Sequence, residues 1–482
     1  MPFLTTARAG ARPLGRILCA AVCLAASLHA GEEVFKLPSL ADLPKFMDEV
    51  EHAETKKGKV HENGLVATVN FEQFKLPKKA SNFELEELYL PDDLTHFQKE
   101  LKIHVALQPG KAPLAVFLNG FYGKEDDKLS EAAERYLFEA GCHVLTIRSI
   151  FRNDMNEITG HGAAGNVRKD AEAIATMIDT FLISHKDGRP TFRELTTSVR
   201  VLGISYGGYL ALNLAKLPQA KSWPIDRTLV LGSPVKLQTA AANLDRFQRE
   251  DRPRHVQSLL KLIDGFTPSK DQPDEEEESL MRAGIAYTFY GELSNIVSHN
   301  EESYKPGLCE LFKFQEKARE NERKAAIKVL ETRFEADTKA LDAAGGPDVK
   351  KQKKALEARF KCEKADVERC LSNSSGWTFT EYATQLCAPA WKTDPAELWK
   401  FGDLNELLEG APAYVQAVVP LDDPLNKKEE TAALLAKFPE PKVLAIPHGG
   451  HLGFMGTQWV RALIKLQFGP DTATSIAVPT PH

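Results

Sequence analysis

Residues 199–215 run Val199-Arg200-Val201-Leu202-Gly203-Ile204-Ser205-Tyr206-Gly207-Gly208-Tyr209-Leu210-Ala211-Leu212-Asn213-Leu214-Ala215. A short β-branched run enters the pattern G-x-S-x-G, and apolar residues at Leu210, Leu212 and Leu214 follow at once. The stretch predicts strand, tight turn, helix. A serine at the tip of such a turn is held in a strained backbone, and the flanking glycines let strand and helix pass close. Its Oγ is thereby pushed out where a substrate can meet it. Five residues of this kind also arise by chance in an ordinary glycine-rich β–α turn, so the remaining chain has to discriminate.

Around this turn the pattern alternates between strand and helix. Leu114–Leu118 is a continuous apolar run, as expected of a strand covered on both faces. A helix is predicted from Lys128 to Glu139 with Gly141 as its stop, then a strand at Val144–Ile147, a helix from Asn166 to Ile183, and a strand at Thr228–Leu231 after the elbow. Tyr414–Val419 and Val443–Ile446 are two further strands. Such alternation predicts a doubly wound, mostly parallel sheet, whose ligands sit at the carboxyl ends of the strands. Ser205 lies at one of those ends. Ala67–Phe71 and Leu101–Leu107 alternate with period two and read as antiparallel edge strands. A short helix or an arm is expected near 41–54.

At 482 residues the chain exceeds one ordinary core, so an insertion or a second domain is expected. Residues 236–405 lack the strand–helix alternation and are read as a helical insertion or cap. Within them the acidic run 271–278 reads as a solvated loop. Leu308–Ala344 and Val349–Leu371, separated by Gly345-Gly346-Pro347, read as an antiparallel helical hairpin with exposed charged faces. That hairpin is the part of the chain to which a protein or membrane-surface contact is assigned, if there is one. The expected organisation is a signal peptide over 1–30, an arm and edge strand over 31–99, core over 100–235, insertion over 236–405, and core again over 406–475.

The first thirty residues carry Arg8, Arg12 and Arg16 ahead of the apolar run Ile17–Ala26, which ends in small residues at Ser27–Ala30. The run is too short to cross a bilayer as a helix and reads as a secretory signal, with a retained anchor as the alternative. Secretion or a periplasmic location is therefore expected. Five cysteines follow the signal: Cys142, Cys309, Cys362, Cys370 and Cys387. Export makes disulfides among the last four plausible, in one of three connectivities, while Cys142 reads as a small core residue. With 61 Lys and Arg against 67 Asp and Glu, the charge balance carries no nucleic-acid footprint.

A serine hydroxyl needs an adjacent base, and the base needs an orienting acid. In sheets of this class both follow the serine on loops after late strands. Asp422 and Asp423 stand just beyond one predicted strand, and His448 and His451 just beyond the next. His451 is preferred because the Gly449-Gly450 pair lets its loop fold over the sheet, with His448 as a neighbouring loop residue. Asp423 is preferred because it immediately precedes Pro424-Leu425; Asp422 is the alternate, and whichever is not catalytic is free to cap the following helix. The oxyanion-binding N–H groups are assigned to Tyr206, after the nucleophile, and Phe121, in the loop Asn119-Gly120-Phe121-Tyr122-Gly123. Tyr122 is a candidate substrate contact. No metal and no organic cofactor is required by this set; His448 and His451 lack the extra ligands of a metal site.

Gly203–Gly207, Leu118–Phe121, Gly232-Ser233-Pro234-Val235, Asp422-Asp423-Pro424 and Gly449–Phe454 together resemble the α/β-hydrolase superfamily. Asp422-Asp423-Pro424 and Gly449-Gly450-His451-Leu452-Gly453-Phe454 resemble its YheT-like esterase branch in particular. The likeness covers about 100–240 and 410–465. It implies the α/β-hydrolase fold and a serine hydrolase acting on a small-molecule ester or lipid-like substrate, with Ser205, Asp423 and His451 as triad. Asn119 departs from the histidine that many members carry there, and the insertion is larger and more charged than a usual lid. Gly203–Gly208 is also similar to the elbow of prolyl-oligopeptidase-type peptidases, which makes a serine peptidase one alternative. A non-catalytic binding protein on the same scaffold is the other.

Overall fold

The computed structural model describes residues 32–36, 45, 60–71, 74, 76, 79–80, 82–90, 101–123, 127–152, 155, 164–185, 190–251, 273–300, 308–346, 348–372, 378–469 and 475–479. The expected signal segment and nearly all of the 41–54 helix lie outside these residues. Two compact units are present. In the unit comprising residues 1–39 and 471–482, β1 (Glu32–Lys36) pairs antiparallel with β10 (Ser475–Pro479).

The larger unit, residues 40–470, is built on a sheet that has eight strands among the described residues. These are β2 (Glu86–Leu90), β3 (Leu101–Ala106), β4 (Ala112–Leu118), β5 (His143–Ile147), β6 (Thr196–Ile204), β7 (Ile225–Leu231), β8 (Val415–Pro420) and β9 (Val443–Ile446). Their spatial order is β2-β3-β5-β4-β6-β7-β8-β9. The first two pairings are antiparallel and all others are parallel. This is the α/β-hydrolase fold. Every residue of β5 and β8 is buried, and all but one of β4, because the helices cover both faces and the strands need no polar alternation.

The flanking helices follow their sequence signals closely. A first helix, α1 (Gly64–Val69), is followed by α2 (Lys128–Glu139), capped by the Asp127 carboxylate on Ser130 N–H, and α3 (Val167–Ile183), capped by Asn166 on Lys169 N–H. The elbow helix α4 (Tyr206–Leu214) packs beside α3, and α10 (Gln458–Phe468) beside α2. At the C-terminal end of α10, Arg200 of β6 reaches the carbonyls of Phe468 and Gly469 while pairing with Asp226 at 3.1 Å. Cys142 donates its thiol to the Phe468 carbonyl and is wholly buried. Burial pushes that thiol up to about 12, so it behaves as a core residue.

Between β7 and β8 all named elements are helical: α5 (Leu237–Glu250), α6 (Glu275–Asn300), α7 (Leu308–Ala344), α8 (Val349–Ser372) and shorter turns of helix over 379–408. Where the chain leaves the sheet and where it returns lie side by side. Leu237 N–H donates to the Gly402 carbonyl and Leu404 N–H to that of Val235, so the segment is an insertion between adjacent strands. Within it α7 and α8 form the expected hairpin, pinned by the stacked rings of Phe334 and Phe360 and by Lys353–Asp342 and Lys364–Glu331 ion pairs. The final helix before β9 is α9 (Lys428–Lys437).

Two expectations fail here. Ala67–Phe71 is not a strand: Ala67–Val69 belongs to α1, because the Asn63 side chain accepts from Leu65 and Val66 N–H groups and starts a helix. Glu275–Glu278, read as a solvated loop, opens α6 instead, where four carboxylates meet the positive end of the helix and Asp274 accepts from Glu277 N–H. The side chains of Cys309, Cys362 and Cys370 lie outside the described residues, so the expected disulfides do too; Cys387 is buried in the insertion.

Candidate active site

Ser205 is the hinge between β6 and α4 and has φ 50°, ψ −121°, a conformation rare for a residue with a Cβ. Its N–H donates to the Leu231 carbonyl, and its carbonyl accepts from Gly208 N–H and from the Ser233 hydroxyl. The turn is this tight only because its neighbours lack side chains. A Cβ on Gly203 would stand 2.3 Å from the Gly207 carbonyl oxygen, and one on Gly207 would stand 2.1 Å from that of Leu118.

The Ser205 Oγ lies 2.9 Å from His451 Nε2, and His451 Nδ1 lies 2.9 Å from Asp423 Oδ2. All three residues are buried. A carboxylate facing Nδ1 favours the tautomer with its proton there, which leaves the Nε2 lone pair for the serine hydroxyl. The second oxygen of Asp423 accepts from Leu425 N–H at 2.8 Å, so the carboxylate is fixed at both ends.

Asp422 points elsewhere, although it is adjacent. Its two oxygens accept from Gly449 N–H at 3.2 Å and Gly450 N–H at 2.8 Å, tying down the loop that carries His451. It does not cap the following helix, whose N-cap is Lys427. Burial raises the Asp422 carboxyl to about 6. His448 is half-buried close to Asp422 and is three residues short of the serine-bonded imidazole.

One residue had no signal in the sequence. The Thr68 hydroxyl, on α1, accepts from the backbone N–H of His451 at 2.7 Å and donates to the Gly64 carbonyl at 2.6 Å. The fit is close: a Cβ on Gly450 would stand 2.0 Å from the Gly64 carbonyl oxygen, and Gly450 itself has φ 52°. The histidine loop is thus clamped between Asp422 and a helix 383 positions upstream of His451.

The loop after β4 crosses directly over the nucleophile. A Cβ on Gly120 would stand 2.9 Å from that of Ser205, and the Ser149 hydroxyl donates to the Phe121 carbonyl at 2.7 Å, anchoring the turn. Tyr206 is the first residue of α4, where a backbone N–H has no carbonyl a turn earlier to receive it. Phe121 and Tyr206 line the same pocket as Ser205. Tyr122 is half-buried in the same loop, and the pocket described next is walled by Phe121 instead.

A pocket of about 660 Å³, counting its open mouth, adjoins Ser205. Phe121, Phe151, Phe289 and Phe379 form much of its wall, with the Phe121 ring 4.2 Å from Phe151, 5.8 Å from Phe289 and 5.4 Å from Phe379. Asp245 of α5 assembles the insertion's share. It accepts from Phe379 N–H, Thr380 N–H and the Tyr290 hydroxyl of α6, joining three segments at one carboxylate. Behind Tyr206, Asp170 Oδ2 accepts the Tyr206 hydroxyl at 2.6 Å and Gly165 N–H at 2.9 Å, while Oδ1 is buried without a hydrogen-bond partner. Burial drives the Asp170 carboxyl up to about 7 and, with the facing carboxylate, keeps the Tyr206 phenol well above its usual range. Among the described residues no three His, Cys, Asp or Glu side chains converge as a metal site.

No protein-family profile matches the chain, and no curated protein matches it. The chain is similar to a carboxyl esterase 2 from the mycorrhizal fungus Tuber melanosporum, at 12% identity and a TM-score of 0.37, over 84% of this chain and 97% of that one. It is also similar to a single-site mutant of the esterase rPPE, at 12% identity and a TM-score of 0.36, over 91% and 96% of the two chains. A thermophilic esterase from Thermogutta terrifontis is a third, at 12% identity and a TM-score of 0.32, over 79% and 99%.

Proposed function

We propose that this chain is a serine hydrolase that cleaves carboxylic esters through an acyl-enzyme. The observation that carries the reading is the unbroken relay from Ser205 Oγ through His451 to Asp423, at the carboxyl end of β6 beneath the β4 loop. In this reading His451 Nε2 takes the serine proton as Oγ attacks the ester carbonyl. Asp423 holds the imidazolium that results. The backbone N–H groups of Phe121 and Tyr206 receive the negative charge that develops on the carbonyl oxygen. The imidazolium then protonates the departing alcohol, and water, activated by the same nitrogen, releases the acid and restores Ser205. Thr68 and Asp422 support the cycle by keeping the histidine loop in register with the serine.

A fluorophosphonate probe tests the nucleophile. Labelling of the wild type that is lost in Ser205→Ala is the expected result, and a folded wild type that does not label overturns the proposal in favour of a binding protein. Hydrolysis of p-nitrophenyl esters without hydrolysis of matched anilides separates the esterase from the peptidase. Export is part of the same reading: the N-terminal residue of the protein purified from its native cell is expected just after Ser27 or Ala30, and an intact Met1 would overturn it.

A further inference from the structure

We infer that the aromatic pocket beside Ser205 is an acyl-binding site for an extended apolar acid, longer than acetate and free of charged or hydrogen-bonding groups along its chain. The inference rests on Ser205 being the acyl-accepting nucleophile. Its first support is the wall chemistry. Among the described residues the pocket is lined by no Lys, Arg, His, Asp or Glu side chain, and its aromatic rings come from six separate parts of the chain.

The second support is that the hydroxyls in the wall are already committed. Tyr206 donates to Asp170, Tyr209 to the Pro234 carbonyl, and Tyr382 to the Ala164 carbonyl at 2.6 Å. These tyrosines thus offer a ligand their ring faces and direct their protons into the protein. A sugar, a peptide group or a charged chain entering here would give up its water for few partners in the wall, which is far less favourable than the same transfer of a hydrocarbon.

The third support assigns the pocket to the acid half of the ester. A leaving alcohol has to lie within reach of His451, because that imidazole delivers its proton. The pocket is lined by Ser205, Phe121 and Tyr206, the nucleophile and the two oxyanion candidates, and not by His451. Phe289 marks the border: it lines the pocket, and its ring centre lies 6.3 Å from that of His451. The alcohol is accordingly placed on the histidine side and the acyl chain on the aromatic side.

The test varies each half separately. For p-nitrophenyl acetate, butyrate, hexanoate, octanoate and decanoate, kcat/KM is expected to climb about fourfold per added methylene until the pocket is full, the increment that burial of one methylene supplies. Butyrate esters of lengthening alcohols are expected to show a much shallower trend. Ala241→Phe, which fills the wall, should lower the octanoate-to-acetate ratio at least tenfold, and Leu244→Ala, which enlarges it, should move the optimum to longer acids. In parallel, calorimetry of the same fatty acids with Ser205→Ala should show affinity rising with chain length and falling in the Ala241→Phe background. A wild type that labels at Ser205 but is indifferent to acyl length, or more sensitive to the alcohol, overturns the acyl pocket and leaves the hydrolase reading intact. A wild type that does not label overturns the hydrolase reading; the pocket as an apolar chain site is then overturned as well if the calorimetric series is flat, and upheld as a binding site if it rises.

Discussion

Replacing Asp170 by asparagine isolates what burial does behind the nucleophile. The carboxyl is fully enclosed, and its removal from water raises it from 3.8 to about 7 against the opposing pull of two hydrogen bonds. The folded state therefore holds this proton more tightly than the unfolded chain does. Stability from Asp170 is complete below the unfolded value and is lost as pH rises through about 7. The full loss is about 4 kcal/mol above both values, of which roughly 2–3 kcal/mol falls between pH 5 and pH 8. Asparagine keeps an oxygen for the Tyr206 hydroxyl and Gly165 N–H but cannot ionise. Urea unfolding followed by tryptophan fluorescence, on both proteins across that range, gives the difference in unfolding free energy at each pH. Other titrating groups cancel in this difference. It is expected to shift in favour of Asp170→Asn by roughly 2–3 kcal/mol from pH 5 to pH 8. A difference that does not change with pH would refute the reasoning, because it would mean that burial does not disfavour the ionised carboxylate.

Thr68→Val keeps the shape of the side chain but removes the acceptor of the buried His451 N–H, so stability should fall by about 1–3 kcal/mol and kcat should drop with little change in KM. Thr68→Ser, which restores the hydroxyl, should recover both in the same denaturation and ester assays. Gly207→Ala forces a Cβ to within 2.1 Å of the Leu118 carbonyl oxygen, and a loss of about 3 kcal/mol or more is expected in thermal melts. Gly110→Ala, where no atom lies within 4 Å of the new carbon, should stay within about 0.5 kcal/mol of the wild type. Arg200→Met removes the donor to the Gly469 carbonyl, one of two donors to the Phe468 carbonyl, and the partner of the part-exposed Asp226 carboxylate; urea unfolding should report a loss of about 1–3 kcal/mol.

Where physical requirements are local, they are written locally. Gly203 and Gly207 are glycines because the elbow tolerates no Cβ, and Asp127 and Asn166 sit where α2 and α3 need acceptors, so strand, turn and helix boundaries there could be read within a residue or two. Short segments mislead for the same reason. Ala67–Phe71 alternates like a strand over five residues, too few to separate the periods, and the Asn63 cap decides for helix. An acidic run is equally compatible with a loop and with a helix start, and Glu275–Glu278 is the latter.

The order of a nucleophile, an acid and a base at the ends of three parallel strands was determined by the sequence alone, since an open parallel sheet presents the loops after its strands on one edge. Which of two neighbouring aspartates faces His451 depended on side-chain directions that differ between Asp422 and Asp423 and leave no trace in composition. The Thr68 clamp and the aromatic pocket came only with the folded chain. Each joins residues from distant segments, Phe121 with Phe289 and Phe379, His451 with Thr68, and such contacts are chosen by packing in three dimensions, for which no periodicity or spacing along the chain can stand in.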